Sequence, residues 1–296
     1  MTSKSLPVAD KPLSSREAWL VIEQHTKEDL ESWAKDASCA PNDPLCTRAA
    51  QLLQRAATAA AQLDQLEQEG IWTVTAGSDN YPKQLFDRLG YAAPALLHGV
   101  GKQELLYGSG VGVVGSRKIT EEAMEVCRLV GRTAAKKSLT LITGGARGAD
   151  REALFSALDA GGCGLVATAD ALRQDIRKPQ IREHIIEQQL CLVTQYHPDA
   201  GWSVGAAMAR NKIIYGLSQH VLVVASDKET GGTWSGATDA LKHKWTNLAV
   251  WLGAGAGAGN QALVDAGGRG ITDIEDLWTE TTLTQSAPEQ LTIGAN

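Results

Sequence analysis

At 296 residues the chain can hold one large α/β body with a smaller unit beside it, each with an adequate core. Its 28 Lys and Arg against 34 Asp and Glu leave a formal charge of −6, which argues against a protein that coats nucleic acid without specificity, although an anion can still bind where a few cations converge. The five cysteines, Cys39, Cys46, Cys127, Cys163 and Cys191, include no C-x-x-C pair, which speaks against a disulfide framework or a structural zinc site and suits a reducing cytosol.

Residues 1–7 lack the apolar core of a secretion signal, and no apolar run approaches the roughly 20 residues that span a bilayer. A cytoplasmic protein without a membrane segment is expected. From Ser14 to about Glu69 the sequence is polar and rich in Ala and Leu, with helical spacing in Leu52, Leu53, Ala56, Ala57, Ala60, Leu63 and Leu66. Asn42-Asp43-Pro44 supplies a turn and a helix start. Residues 1–69 thus read as a small helical domain. Gly70 closes it, residues 71–75 read as a short strand, 79–82 as a turn and 94–99 as another short strand.

Beyond residue 110, strand-like runs at 111–115, 139–143, 164–167, 191–195, 221–225 and 248–252 alternate with helix-length segments at 121–137, 151–160, 181–189, 206–217 and 235–242. Several runs are apolar throughout, as in a parallel sheet covered on both faces. Right-handed crossovers then give a doubly wound, mostly parallel Rossmann-like α/β sheet over residues 70–278, with 279–296 left as a polar tail. Ligands of such sheets bind outside the carboxyl ends of the strands.

Three cationic stretches fall at that edge. Gly115-Ser116-Arg117 follows a strand-like run and precedes a helix. Its glycine allows close backbone approach, and its serine is suited to capping the helix or meeting a phosphate. A tight turn with a solvated arginine is the plain alternative. The second stretch, Thr143 to Asp150, contains Gly144, Gly145, Arg147 and Gly148. Three glycines in five residues admit positive φ and can turn backbone N–H groups outward as an anion nest, though the spacing is not that of a P-loop. Asp150 is placed either to cap the next helix or to anchor Arg147. In the third stretch, Arg210-Asn211-Lys212, Arg210 shares a helical stripe with Ile213, Ile214 and Leu217, so it either snorkels to the sheet edge or points into a cleft. Lys212 falls on the other side, near Met208 and Tyr215. Brought together, the three stretches make a polyanion site.

Other candidates carry less. The glycine run 253–259 contains a G-x-G-x-x-A match, but after the last strand rather than the first, and reads as a flexible loop. The six histidines show no metal-ligand spacing, no nucleophile elbow or Cys–His pair stands out, and Asp239 has no evident partner. The residues point to a binding protein and not an enzyme, with no cofactor and no metal.

These stretches resemble motifs of the DNA-processing protein A family. In order and spacing, Gly115-Ser116-Arg117, Thr143-Gly144-Gly145-Ala146-Arg147-Gly148-Ala149-Asp150 and the run from Arg210 to Ser218 are similar to its G-S-R, S-G-x-A-R-G-I-D and R-N-R-I-I-A-G-L-S blocks. Tyr81-Pro82 and the run from Pro94 to Gly101 resemble its lead-in, Gly231 to Ala237 its S-G-S-L-I-T-A block, and Gly259-Asn260-Gln261-Ala262-Leu263-Val264 its G-x-N-x-L-I close. The likeness covers about residues 70–276. It implies an extended Rossmann domain, usually homodimeric, that binds single-stranded DNA and hands it to a RecA-type recombinase in natural transformation. It further implies DNA-pocket roles for Arg117, for Arg147 with Gly144, Gly145 and Gly148, and for Arg210 with Asn211 and Lys212. Lys178, beside Pro179, is matched to a further basic residue in a Y-P-K turn.

The departures are specific. The family's C-terminal winged helix has no counterpart, Ala149 replaces Ile, Trp234 and Gly236 alter the S-G-S-L block, and Leu252-Gly253 stands for a P-G turn. With the acidic charge, these leave room for a specialised member, such as a sensor of a nucleotide-derived signal in defence. The related LOG-type nucleotide phosphoribohydrolases supply an enzyme alternative, but Thr230-Gly231-Gly232-Thr233 lacks their glutamate.

Overall fold

The computed structural model describes residues 11–279, so the expected polar tail lies, beyond its first residue, outside the described residues. Four helices come first: α1 (Ser15–Gln24), α2 (Lys27–Lys35), α3 (Pro44–Leu53) and α4 (Ala56–Gln68). The first three start where a side chain takes up free N–H groups. Ser14 and Thr26 form reciprocal boxes with Glu17 and Asp29, and Asp43 caps α3 ahead of Pro44. The apolar spacing from Leu52 to Leu66 belongs to two helices, interrupted at Gln54-Arg55, and in α4 only Leu66 is buried.

Helices α1 to α3 share a small core of Val21, Trp33, Cys46, Ala49 and Ala50. Beside it lies a Cys–His contact that the spacing did not reveal: Cys46 Sγ is 3.4 Å from His25 Nε2. Burial and the adjacent Asp43 push the Cys46 thiol up, which favours the neutral thiol over the thiolate. Trp19 of α1 instead packs against Tyr81 and Phe86 and donates Nε1 to the Ala93 carbonyl at 2.9 Å, while Leu66 is buried among apolar residues of the sheet.

Among the described residues nine strands form one sheet. They are β1 (Trp72–Thr75), β2 (Leu96–Gly101), β3 (Gly110–Val114), β4 (Thr140–Thr143), β5 (Cys163–Ala167), β6 (Leu190–Thr194), β7 (His220–Val223), β8 (Asn247–Trp251) and β9 (Arg269–Ile271). Their order is β1-β2-β6-β5-β4-β3-β7-β8-β9, antiparallel at the β1–β2 and β2–β6 seams and parallel from β6 through β9. Strand β9 was not expected, because three residues around a glycine carry almost no apolar pattern.

Alternate residues of the parallel strands enter opposite cores. Val114, Ile142, Leu165, Val193, Val221 and Val223 pack beneath α5 (Lys83–Leu89), α10 (Val204–Leu217) and α11 (Gly231–His243). Val111, Val113, Leu141, Val166, Leu192 and Leu222 pack beneath α6 (Glu121–Lys136) and α7 (Ala149–Asp159). The short helices α8 (Leu172–Ile176), α9 (Pro179–Ile186) and α12 (Asn260–Asp265) complete the connections. From β3 the chain moves outward through β4, β5 and β6, then returns to the other side of β3 as β7. The loops leaving β3 and β7 therefore diverge, and a crevice opens at the carboxyl edge between them.

His98 lies at the antiparallel seam, opposite Thr73 and Thr194, with Nδ1 2.8 Å from Thr73 Oγ1. Burial, helped by nearby His197, lowers its pKa from the ordinary 6.5 to about 4. On acidification the unfolded chain takes up this proton first. The stability conferred by neutral His98 is thus complete above about 6.5 and is lost towards about 4, by about 3 kcal/mol. Urea midpoints should decline across this window, and His98→Gln should flatten that part of the decline.

Candidate nucleic-acid interface

The crevice takes its shape from backbone held against backbone. After β3, Ser116 N donates to the Ala225 carbonyl at 2.8 Å and ties this turn to the one after β7. The serine does not cap the next helix: α6 begins five residues on and is capped by Thr120. Glu121 and Glu122 occupy its first turn and answer its dipole, so the positive end of α6 is not left for a ligand. Ser116 lines the crevice instead. Gly148, at φ 81°, closes the loop after β4 over this turn. A Cβ there would fall 2.4 Å from Ser116 O and 2.7 Å from Arg117 O, an approach that only glycine permits.

Helix α10 starts at the carboxyl edge, capped by Ser203, and runs back over the sheet. Helical side chains slant towards their own N-terminus, so Arg210 reaches back to that edge from nearly two turns in. Its Nη1 donates to the carbonyl of Ala167, the last residue of β5, at 3.1 Å. The same nitrogen would be 1.4 Å from a Cβ on Gly144. Gly144 therefore seats the guanidinium of Arg210. Gly145, in the same loop, packs against Val166 of β5.

Asp150 corrects the expected nest. It sits in the first turn of α7, whose N-cap is Gly148, and it is buried and faces Arg210, not Arg147. Burial pushes its carboxyl up, opposed by the charge of Arg210 and by donation from Ala146 N at 3.3 Å. The backbone N–H groups expected to cradle a phosphate hold the chain's own carboxylate. Burial also works against the charge on Arg210, Asp150 offsets this, and Arg117 adds repulsion. The guanidinium stays cationic, with Nε unpartnered among the described residues.

The cleft that results has a volume of about 510 Å³. One wall is Gly115, Ser116, Arg117 and Lys118, another is Arg210 and Asn211, and the far rim is Thr230 to Thr233. That rim is the start of α11, four residues earlier than expected, and it has neither a side-chain cap nor a first-turn acid. Asn211 ties the walls together, donating Nδ2 to the Gly232 carbonyl at 3.2 Å. Arg117, Lys118 and Arg210 face Asp150 and Asp227, so the lining carries one net positive charge in a chain of −6. At the mouth stand three exposed apolar side chains: Trp202 (52%), Val204 (66%) and Met208 (38%). Sequence reasoning missed Trp202. Its signal was a tryptophan between Gly201 and the cap Ser203, outside any apolar period.

Arg147, Gly148, Lys178 and Lys212, all expected site residues, lie outside the cleft lining. Arg147 is exposed on the outer side of its loop and, with Gly148, lines a second groove along α6 and α7. Lys212 is half-buried and lines neither concavity. Lys178 is exposed, pairs with Asp175, and also lines neither. The glycine run 253–259 is closely packed: a Cβ on Gly257 would fall 2.4 Å from Ser226 N, and one on Gly255 2.5 Å from Ala123 N. Among the described residues, no three His, Cys, Asp or Glu come together as a metal site, and no helix is long and apolar enough to cross a membrane.

A family model described as DNA recombination-mediator protein A matches residues 72–282. The chain belongs to that family. Protein Smf of Escherichia coli is 31% identical over 168 residues, 56% of this chain but 44% of that protein. DNA processing protein DprA of Bacillus subtilis is 26% identical over 270 residues, covering 85% of this chain and 89% of the relative. The fold is also that of Streptococcus pneumoniae DNA processing protein A, with a TM-score of 0.73 at 22% identity, over 92% of this chain and 94% of that one. Helicobacter pylori DNA processing protein A, solved to show its single-stranded DNA binding mode, matches with a TM-score of 0.57 at 24% identity, over 69% and 93%.

Proposed function

We propose that this protein binds single-stranded DNA in the cleft between the β3 and β7 turns and serves DNA processing in recombination without catalysing a reaction itself. The observation that carries the reading is a pairing of chemistries at one mouth. Arg117 and Lys118 are exposed cations with no carboxylate partner among the described residues, and Trp202 offers an exposed indole beside them. Phosphates with an aromatic platform for bases are the two needs of single-strand recognition. The single-stranded DNA binding reported for the H. pylori relative supports the same choice of ligand. A homodimer and transfer of the strand to a RecA-type recombinase complete the proposal, since two clefts on one strand would offset the few cations of each.

Fluorescence anisotropy with oligonucleotides and with mononucleotides tests it. Arg117→Ala should weaken strand binding and lower the slope of log affinity against log salt by about 0.7, the value for one single-strand phosphate contact. Trp202→Ala should cost about 1–3 kcal/mol of binding with an unchanged melting temperature. Mononucleotides that bind as tightly as strands, with a shallow salt slope, would transfer the cleft to a nucleotide sensor.

A further inference from the structure

We propose that the second groove, along α6 and α7, is a separate strand-contacting site that continues the path out of the cleft. This rests on reading the cleft as a single-strand site. The groove has a volume of about 690 Å³, and Arg128, Arg132, Arg147, Arg151, Phe155 and Gln180 are among its walls. Its arginines are of two kinds. Arg128 is held by Glu121 at 2.7 Å, Glu125 at 3.6 Å and Glu152 at 3.1 Å, and Arg132 by Glu125 at 2.6 Å. Those two arginines, outnumbered by the three glutamates that hold them, form a fixed wall with one net negative charge and offer no free cation.

Arg147 and Arg151 are exposed and have no carboxylate partner among the described residues. The acids of the first turn of α7 are already engaged, with Asp150 turned inward to Arg210 and Glu152 bound to Arg128. Asp159, the remaining acid of the groove, lies eight residues beyond Arg151, about 12 Å along the helix. What faces outward at the start of α7 is therefore positive. Cations there oppose the helix dipole, so an anion bound between them relieves a repulsion that the free chain carries.

The groove also has the second half of single-strand chemistry. The Arg151 guanidinium stands 5.4 Å from the centre of the Phe155 ring, and Gln180 adds an amide. The wall between groove and cleft is one loop thick. Gly148 lines the groove, and its α-carbon abuts the carbonyls of Ser116 and Arg117, which line the cleft. A strand leaving Arg117 passes over this saddle to reach Arg147 and then Arg151.

The test is anisotropy with labelled oligothymidylates of graded length on the full chain and on the double variant Arg147→Ala/Arg151→Ala. Oligomers that fill only the cleft should bind the variant as they bind the wild type. Longer strands should bind it about tenfold or more weakly, with a salt slope lower by about 1.4, and Lys at both positions should restore the slope. Both side chains are exposed, so the melting temperature should not move. Unchanged affinity for long strands overturns the inference, as does an equal loss at every length. A change in self-association with strand affinity intact makes the groove a protein interface and also overturns it. Loss with Arg117→Ala at every length keeps the cleft reading alive in those cases, whereas a wild-type chain that binds no strand removes both.

Discussion

Gly144→Ala is expected to weaken strand binding about as much as Arg210→Ala, roughly 10- to 100-fold, although the glycine need not touch the ligand. A methyl group there would occupy the place of Arg210 Nη1, 1.4 Å away, and its next neighbour would be the guanidinium carbon at 2.3 Å. The arginine must leave its seat, giving up the Ala167 carbonyl and its position opposite Asp150. A charge-assisted contact is worth about 1.5–3 kcal/mol, which sets the range. The double variant decides between mechanisms. If Gly144 acts only by seating Arg210, Gly144→Ala adds little once Arg210 is Ala, and the cycle is strongly non-additive. Additive losses would show a separate role for the glycine.

The two single variants should differ in stability. Arg210→Ala leaves the buried Asp150 carboxylate without its facing cation, at a cost of about 3 kcal/mol. Because burial already raises the Asp150 pKa, protonation neutralises that carboxyl on acidification, and the penalty should shrink as the pH falls. Gly144→Ala keeps both charges and should be less sensitive to pH.

How far the sequence could be read follows from the kind of pattern each feature leaves. The parallel strands β3, β4, β5, β6, β7 and β8 each leave an apolar run, because both of their faces are covered. Arg117 follows an apolar strand-like run, and Arg210 shares a helical stripe with Ile213, Ile214 and Leu217, so periodic neighbours place both near the sheet edge. The side of a loop on which a residue projects leaves no such pattern. Arg147, in the glycine-rich loop, and Asp150, in the first turn of α7, are three positions apart, yet one faces solvent in the groove and the other is buried against Arg210. Gly144 and Gly148 read as ligand-facing glycines, and they are glycines because Arg210 and the Ser116–Arg117 backbone occupy the space of their Cβ atoms. That packing is tertiary and has no trace at short range.

Asn260→Leu is expected to be the most destabilising single change outside the apolar cores, by about 3–6 kcal/mol, although the residue is polar and distant in sequence from the three basic stretches. It is 1% exposed and makes three hydrogen bonds to the main chain. Its Nδ2 donates to the carbonyls of Val224 at 2.9 Å and Trp251 at 2.7 Å, and its Oδ1 accepts from Ser226 N at 2.8 Å. The side chain thus joins the ends of β7 and β8, and it holds the segment that leads through Asp227 to the cleft rim at Thr230. Leucine preserves the volume but strands three buried backbone groups, each worth about 1–3 kcal/mol. For a chain of this size such a loss lowers the melting temperature by about 5–10 °C. Asn260→Asp keeps the acceptor for Ser226 N but turns the amide donor into an oxygen facing two carbonyls, so it should be no less harmful. At temperatures where the leucine variant is still folded, strand affinity should also fall, because the rim has lost its anchor while Arg117 and Arg210 remain. Thermal melts that place Asn260→Leu within about 2 °C of the wild type would show that the three bonds are replaced by solvent, and that the rim is held by the close packing of Gly257 and Gly259 alone.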